Sequence, residues 1–184
     1  VILNPGDEFS YNKNVGPRTY ERGFKDATVY VAGTTEEGVG GGICQVSSTI
    51  YSAALHADLK ITERYNHSYM ITYVPLGEDA TVVYGSKDFR FVNNTDYPIK
   101  LRVTYGKSTM TVSIIGTNVN NKTVEISTKR LSSTPFQVVY KTDTSLPVDT
   151  TKVKNNGYTA SFTKTASWSP THSRTRAHIR SSTS

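Results

Sequence analysis

The chain has 184 residues and a net charge of +6, with 36% apolar residues, 12 Tyr and 6 Phe. This length suits one ordinary domain with an appendage, and no stretch approaches the roughly 18 apolar residues of a membrane span. A single cysteine excludes an internal disulfide and a multi-cysteine metal site. The four histidines show no metal-ligand spacing such as HExxH, so we expect no metal and no other cofactor.

The positive charge is unevenly distributed along the chain. Residues 1–117 carry 11 Lys and Arg against 12 Asp and Glu, whereas residues 118–184 carry 10 against 3. The first two thirds therefore lack the basic surface that is typical of a nucleic-acid-binding domain. We expect no nucleic-acid partner, and we expect the chain to be a piece of a longer protein.

The N-terminal segment predicts short strands separated by turns. Phe9 and Tyr11 alternate with polar residues as in a short strand, and residues 27–33 indicate a second strand. Residues 34–39 carry two glutamates and predict a polar loop. This loop leads into a run of three glycines at 40–42.

The stretch GGGICQVSSTIYSAALHA at 40–57 combines the glycine run, the cysteine and a helical pattern. After Cys44, apolar residues recur at spacings of three and four, which indicates a helix from about 44 to 57 with one buried face. Glycines adopt backbone angles that other residues avoid, and they let another chain approach closely. We therefore expect Gly41 and Gly42 to contact a substrate.

Cys44 is then placed on or just before the first turn of this helix. Unpaired backbone N–H groups and the positive end of the helix dipole favour an anion there. A thiolate is such an anion, and cysteines in that setting have lowered pKa values. Cys44 is therefore a candidate nucleophile, and the alternative is a small buried cysteine without chemistry.

The chain after the helix is rich in predicted strands. Extended segments and strands are expected at 58–63, 69–74, 80–84, 89–92, 98–105, 109–116, 123–129 and 136–141. We therefore predict an α+β fold. In this fold one main helix at about 44–57 packs on a largely antiparallel, meandering β-sheet, which is followed by a β-rich C-terminal appendage.

We expect this fold to be divided into three segments. Residues 1–117 form the domain that carries the cysteine, and residues 118–159 form the β-rich appendage. Residues 160–184 are rich in Ser and Thr and contain no acidic residue. Because they show no apolar alternation, we predict a disordered or atypical tail there.

A nucleophilic cysteine needs a base, or a partner that holds it as the thiolate. His56 follows on the same helix at roughly 18 Å from Cys44, given about 1.5 Å per residue, and we expect a solvated histidine there. His172 and His178 fall in the unpatterned tail. His67 is the remaining candidate base, because a Cys–His pair on separate elements is typical of cysteine acyl-transfer sites. The alternative for His67 is a packed residue among tyrosines.

A third group commonly orients such a base. Asp79 begins a predicted strand that we expect to pair with the strand after His67. This position makes Asp79 a better candidate than Glu63. The alternative for Asp79 is a structural role in a turn.

Three further residues are candidates for binding a substrate. Arg64 has the geometry to bind a carboxylate with two hydrogen bonds, or else to form a surface salt bridge. Gln45 is a candidate oxyanion donor, together with backbone N–H groups near the cysteine. Ser68, beside the candidate base, is also expected to contact the substrate.

Several separate motifs resemble those of the VanW domain family, and they cover residues 1–117. They are NPGDEFSYNKNVGPRTYERGF at 4–24, GGGICQVSSTIYSAAL at 40–55, RYNHSYMITYVPLGEDATVVYG at 64–85 and FVNNTDYPIKL at 91–101. Residues 134–158 weakly resemble the G-five modules that often follow VanW domains, but the expected glycine-rich pattern is missing.

The resemblance implies an extracytoplasmic protein of the bacterial cell envelope. The family takes its name from vancomycin-resistance gene clusters. Members of that family are identified as L,D-transpeptidases that join peptidoglycan stem peptides by 3-3 cross-links through a cysteine thioester. Carried onto this chain, the family's cysteine is Cys44, its histidine is His67 and its aspartate is Asp79. The implied partner is the peptidoglycan stem peptide, and any membrane anchor lies outside this fragment. The oligomeric state stays open.

Three other functions remain open on the sequence. The chain has the features expected of a non-catalytic wall-binding module if Cys44 is only a packed residue. It also fits a cysteine peptidase, carboxypeptidase or amidase that uses water in place of an acceptor amine. A vancomycin-binding role is the third, although no residues spell out a glycopeptide pocket.

Overall fold

The computed structural model describes the chain except for residues 32–33, 69–70, 120, 122, 136, 154–159, 169–176 and 183–184. Within the described part, helix α1 spans Tyr11–Val15 and helix α2 spans Ile43–His56. No helix in these ranges is long and apolar enough to cross a membrane.

Every strand in the described ranges pairs in an antiparallel manner. The strands are β1 (Ile2–Leu3), β2 (Glu8–Ser10), β3 (Asp26–Val31), β4 (Thr34–Val39), β5 (Lys60–Glu63), β6 (Arg90–Val92), β7 (Ile99–Tyr105), β8 (Met110–Ile115), β9 (Glu125–Thr134), β10 (Ala160–Trp168) and β11 (Ala177–Ser182). They form four sheets with the strand orders β1-β7-β8, β2-β6-β5, β3-β4 and β11-β10-β9. The predicted α+β class with one main helix is confirmed, and its strands are distributed over several small sheets.

Helix α2 is the central element of the core. It begins after Gly42, which has a left-handed backbone angle (φ 83°), and it ends at His56 before the cap residue Ala57. The predicted helix at about 44–57 is therefore confirmed. Its buried face consists of residues spaced by three and four: Ser47, Ser48, Ile50, Tyr51, Ala54 and Leu55.

Aromatic side chains fill the space between α2 and the sheets. The ring of Tyr51 lies edge-on to Phe89 at a centroid distance of 5.5 Å, and Phe9 stacks on Phe91 at 4.9 Å. The four side chains are at most 3% exposed. Each buried ring of this kind contributes about 1.5–3 kcal/mol of hydrophobic stabilisation. The Tyr51–Phe89 contact ties α2 to the residue that precedes β6, and the Phe9–Phe91 contact ties β2 to β6.

The carboxylate of Asp88 ties the N-terminal segment to the middle of the chain. It accepts hydrogen bonds from Ser10 Oγ (2.6 Å) and from the backbone N–H of Asn12 (2.8 Å). Burial acts to raise the pKa of Asp88. These bonds, together with those from Phe89 and Arg90, lower it by more, so the net pKa lies below its ordinary value. This network fixes residues 10–12 beside the segment that precedes β6.

Two predictions for the N-terminal region are wrong. Tyr11 does not continue the short strand but begins α1, because the Ser10 hydroxyl accepts a hydrogen bond from the Lys13 N–H and caps the helix. The polar loop predicted at 34–39 is strand β4, which pairs with β3 as a hairpin. Backbone hydrogen bonds form such a pair without the apolar alternation that the prediction required.

Three predicted strands, at 69–74, 80–84 and 136–141, are absent from the described residues of these segments. Residues 71–74 and 137–141 lie outside strands, while residues 69, 70 and 136 are outside the described ranges. Residues 80–84 form only two isolated bridges, Tyr65 with Thr81 and Val83 with Lys87. Apolar alternation forms a strand only where a partner edge is available, and most of these segments meet none among the described strands.

The tail also differs from the expectation. Residues 160–168 and 177–182 form β10 and β11, which join β9 in one sheet. Ser and Thr are compatible with this because Thr favours extended backbone and the pairing uses main-chain groups. The division of the chain at residues 117 and 159 stays a prediction.

Candidate active site

Cys44 lies in the first turn of α2 and is half-buried. Its Sγ is 3.7 Å from the carbonyl oxygen of Val82. Gly42, the residue at which the helix is capped, supplies no side-chain cap. The thiol therefore lies where helix N–H groups point outward, beside the segment 79–83.

Two serines on the buried face of α2 fix this segment. The Ser47 hydroxyl donates to the Ala80 carbonyl oxygen at 2.6 Å, and the Ala80 N–H donates to the Ser48 hydroxyl at 2.9 Å. Both serines are fully buried. They also contact the Cys44 carbonyl oxygen within their own helix, as expected for serines near a helix start. Because they clamp Ala80, they set the distance between α2 and the neighbouring Asp79.

Asp79 is the centre of a buried polar cluster. One carboxylate oxygen lies 2.8 Å from His67 Nδ1 and accepts the His67 backbone N–H at 2.6 Å. The other accepts from Arg64 Nη2 at 2.6 Å, and Arg64 Nε donates to the Asp79 carbonyl oxygen at 2.6 Å. Asp79 therefore fixes both the position and the tautomer of His67, since its contact with Nδ1 leaves Nε2 to face other groups.

The electrostatics of this cluster couple His67 to Cys44. Burial acts to lower the pKa of His67, but hydrogen bonds and charges from Asp79 and Cys44 raise it to about 9. Burial likewise acts to raise the pKa of Cys44. Its interactions with His67, the backbone of Val82 and the charge of Arg18 outweigh burial and hold the pKa below its ordinary value of 9.0. Both shifts favour the thiolate form of Cys44 together with the imidazolium form of His67.

Asp79 stays ionised in this setting. Burial acts to raise its pKa, and the bonds and charges of His67 and Arg64 together lower it below its ordinary value. Arg64 is also placed 5.3 Å from the centre of the Tyr51 ring, and its side chain is 3% exposed. A substrate carboxylate or a surface salt bridge was expected for Arg64, but the structure buries it against Asp79.

Tyr73 completes the surroundings of His67. Its hydroxyl is 3.2 Å from His67 Nε2, and the two rings meet edge-on at 6.1 Å. Tyr73 is 37% exposed. It therefore lies on the solvent side of the imidazole, at the nitrogen that is not held by Asp79.

The remaining predicted site residues occupy different positions. A Cβ on Gly41 would meet Ala27 Cβ at 2.4 Å, so this glycine is required by close packing on β3. Gly42 has open space around it, and Gln45 is exposed on the first turn of α2. Ser68 is exposed beside residues that are not described. Contact of these residues with a substrate stays a prediction.

The structure also separates the alternative groups. The carboxylate of Glu63 pairs with Arg90 at 3.1 Å and accepts the Asp88 N–H, so Glu63 is committed to another network. His56 is exposed at the far end of α2, where its Nδ1 contacts the Ser52 carbonyl oxygen. His172 is outside the described ranges, and the side chain of His178 is not described.

Sequence reasoning gave no site role to four side chains around Cys44 and His67: Ser47, Ser48, Tyr73 and Arg18. It expected the two serines only to bond the helix backbone locally. The serines carried a signal, since two polar residues interrupt the otherwise apolar face of α2. Tyr73 and Arg18 carried none, because their positions depend on contacts between distant segments. In the ranges that the structure describes, no group of three or more His, Cys, Asp or Glu is placed to hold a metal.

These features define a class of protein: an α+β domain in which a cysteine at the start of a helix faces a histidine that is held by a buried aspartate. The family model described as VanW like protein matches residues 1–115, and the chain belongs to this family. No solved structure matches the chain significantly.

Two curated relatives agree with this assignment. The chain is 41% identical over 137 residues to "Uncharacterized protein YoaR" of Bacillus subtilis (strain 168), an alignment that covers 74% of this chain and 45% of YoaR. It is 29% identical over 109 residues to "Vancomycin B-type resistance protein VanW" of Enterococcus faecalis (strain ATCC 700802 / V583), covering 56% of this chain and 40% of that protein. The chain thus spans less than half the length of the relatives it matches.

Proposed function

We propose that this chain is the catalytic part of a peptidoglycan L,D-transpeptidase that forms 3-3 cross-links through a thioester on Cys44. The observation that supports this proposal is the coupling of Cys44 to His67, with His67 held by Asp79. A cysteine nucleophile requires a thiolate and a proton carrier, and this arrangement supplies both. Family membership supports the same chemistry.

In the first half-reaction the Cys44 thiolate attacks the carbonyl carbon of the third residue of a donor tetrapeptide. A C–S bond forms, and the carbonyl electrons move to the oxygen. When this intermediate collapses, the C–N bond breaks and the departing amine of D-alanine takes a proton from His67 Nε2. The products are D-alanine, a thioester on Cys44 and a neutral His67.

In the second half-reaction the side-chain amine of the diamino acid in an acceptor stem attacks the thioester carbonyl. His67 takes the proton of that amine, the C–S bond breaks, and the electron pair returns to sulfur. This regenerates the thiolate and the imidazolium. Asp79 keeps its charge throughout and stabilises the imidazolium in both half-reactions.

The start of α2 is suited to stabilise the developing oxyanion. The N–H groups of Gln45 and Val46 already contact the Gly42 carbonyl oxygen at 3.1 and 3.2 Å, within the first turn. We assign the oxyanion to the Cys44 N–H and to the exposed Gln45 side chain, which lie on the same turn. A substrate of this kind places the protein outside the cytoplasmic membrane, in the cell envelope.

The test is to incubate the purified chain with disaccharide-tetrapeptide muropeptides and to analyse the products by mass spectrometry. We expect a cross-linked dimer that has lost one D-alanine, and no dimer with Cys44→Ala. The matched control is Thr49→Ala, which removes a hydroxyl from an adjacent turn of α2 and is expected to retain activity.

Other outcomes identify the competing functions. Loss of D-alanine without a dimer, at saturating acceptor, indicates a carboxypeptidase that uses water. Muropeptide binding that is equal in wild type and Cys44→Ala, with no turnover and a thiol that is unreactive at neutral pH, contradicts the proposal and indicates a non-catalytic binding module.

A further inference from the structure

Arg18 is a cation beside the thiol, and no acidic side chain in the described part of the chain forms an ion pair with it. Among the described residues, the carboxylates within 4.0 Å of an arginine belong to the pairs of Arg64 and of Arg90. Arg18 makes no such pair in these ranges, and it is only half-buried. A half-buried guanidinium with no anionic partner is suited to bind an anion from outside.

The guanidinium of Arg18 is held in one orientation. Nη2 donates to Asn12 Oδ1 at 2.7 Å, and Nη1 donates to the Gly16 carbonyl oxygen at 2.9 Å. Its Cζ lies 5.6 Å from the ring centre of Tyr11 and 5.5 Å from that of Tyr84. Two of the five N–H groups are used in these bonds, and the fork keeps further donors for a ligand.

Neighbouring contacts place this guanidinium at the start of α2. The Tyr11 hydroxyl donates to the Ile43 carbonyl oxygen at 3.3 Å, directly before Cys44. A Cβ built on Gly40 would lie 3.5 Å from Arg18 Cγ, so the stem of the arginine packs on the glycine run. The positive charge of Arg18 acts on the Cys44 thiol as well.

Asn12 connects Arg18 to the segment that contacts the thiol. Its Nδ2 donates to the carbonyl oxygens of Lys87 (2.8 Å) and Val83 (3.2 Å), and its N–H is held by Asp88. Val83 follows Val82, whose carbonyl oxygen contacts Cys44 Sγ. The position of Arg18 relative to the thiol is therefore fixed by a continuous set of hydrogen bonds.

Building on the proposed function, we propose that Arg18 binds the C-terminal carboxylate of the donor peptide and makes the site specific for donors that end in a free acid. The residue that leaves carries this carboxylate, one residue beyond the carbonyl carbon that the thiolate attacks. Because successive Cα atoms are about 3.8 Å apart, the carboxylate must lie close to the thiol. This is the role that the sequence assigned to Arg64, which is buried against Asp79.

The test compares two donors that differ only at the C-terminus, a disaccharide-tetrapeptide ending in D-alanine and the same compound ending in D-alaninamide. With wild type we expect kcat/KM for the acid to exceed that for the amide by about 10- to 100-fold, as for a charge-assisted pair. Arg18→Gln is expected to bring the ratio of kcat/KM for the acid to that for the amide close to one. Because the charge of Arg18 also acts on the Cys44 thiol, both donors share any additional loss of rate. Arg18→Lys is expected to give an intermediate ratio.

The matched control is Arg102→Gln, which removes the same charge from an exposed position on β7 and is expected to behave as wild type. The assignment of Arg18 is overturned if Arg18→Gln lowers kcat/KM equally for both donors. It is also overturned if the acid-to-amide ratio of kcat/KM is near one in the wild type. Turnover in these cases leaves the transpeptidase proposal intact, so the two failures are distinguishable.

A binding measurement tests Arg18 without turnover. Both donors are titrated calorimetrically into Cys44→Ala and into Cys44→Ala with Arg18→Gln. Tighter binding of the acid that depends on Arg18 supports the assignment, even if the wild type forms no dimer. Equal binding of acid and amide to Cys44→Ala, or binding of neither, contradicts it.

Discussion

The two ends of α2 both carry a histidine nearby, and only one of them has the features of a reaction site. At the N-terminal end, His67 is 15% exposed in its side chain and bonded to the carboxylate of Asp79. At the C-terminal end, exposed His56 contacts only a backbone carbonyl oxygen of its own helix among the bonds in the described region. An open cavity of about 530 Å³ adjoins His56, lined in part by Leu59, Asn94 and Tyr97.

In the described part of the chain, the open cavity and the coupled Cys–His pair therefore lie at opposite ends of α2. At the N-terminal end, the interaction between Cys44 and His67 lowers the pKa of the thiol and raises the pKa of the imidazole. Burial acts in the opposite direction on each group. The C-terminal end has space but no carboxylate-held base in the ranges described. A reactive pair depends on desolvation and on orientation by a buried partner.

The largest expected effect separates the two histidines directly. His67→Ala removes the group that offsets burial at Cys44, so the pKa of the thiol rises. We expect turnover to fall by about 10²- to 10⁴-fold and alkylation of Cys44 by iodoacetamide at pH 7 to slow by about 10- to 100-fold. His56→Ala is the control, and equal losses in the two variants contradict the distinction between the ends.

The next effect is on stability. Asp79→Asn leaves the buried guanidinium of Arg64 without its charged partner, and we expect a loss of about 3 kcal/mol in the free energy of unfolding in urea. Asp58→Asn, at the opposite end of α2, is the control. Asn tolerates the left-handed backbone at residue 58 (φ 55°), so a change below about 1 kcal/mol is expected. A loss of less than about 1 kcal/mol in the unfolding free energy of Asp79→Asn argues against a buried ion pair.

A smaller loss is expected from Ser48→Ala. This variant leaves the buried Ala80 N–H without its acceptor and should cost about 1–2 kcal/mol. Thr49→Ala is the comparison, because among the described residues its hydroxyl bonds within the helix, at the Gln45 carbonyl oxygen. If Ser48→Ala also slows iodoacetamide labelling of Cys44 while Thr49→Ala does not, the clamp positions the reactive pair; unchanged labelling limits it to stability.

The smallest effect appears in the pH dependence of stability. The folded pKa of Asp79 lies below its ordinary value of 3.8, so its ionised form stabilises the fold above that pH. This contribution disappears as the pH falls through the folded pKa. The difference in unfolding free energy between wild type and Asp79→Asn should therefore shrink below about pH 4. A difference that stays constant down to pH 2 contradicts the lowered pKa.

Hydrophobic spacing in the sequence predicted the main helix and four of the strands. The three-and-four spacing after Cys44 located α2, and alternation located β5, β6, β7 and β8 closely. Pattern failed at β4, where a hairpin forms without apolar alternation, and at 71–74, where alternation exists without a strand. In each case the presence or absence of a partner edge decided the structure.

The same distinction applies to the candidate site. Residue type and spacing selected Cys44, His67 and Asp79, and the structure brings these three together. We expected two paired strands to bring His67 and Asp79 together. An isolated bridge between Tyr65 and Thr81 joins the two segments instead. The burial of Arg64 against Asp79 was beyond sequence reasoning, since it depends on which guanidinium the folded chain encloses.

The lowered pKa of Cys44 has a consequence for the chain during synthesis. The groups that lower it lie at Arg18, His67 and Val82, and the network that fixes them extends to Asp88. A nascent chain that has not folded through this region carries an ordinary thiol, largely protonated at neutral pH. Folding through this region therefore lowers the pKa of the thiol and raises the thiolate fraction at a given pH, so the thiolate fraction becomes a chemical reporter of the folded state.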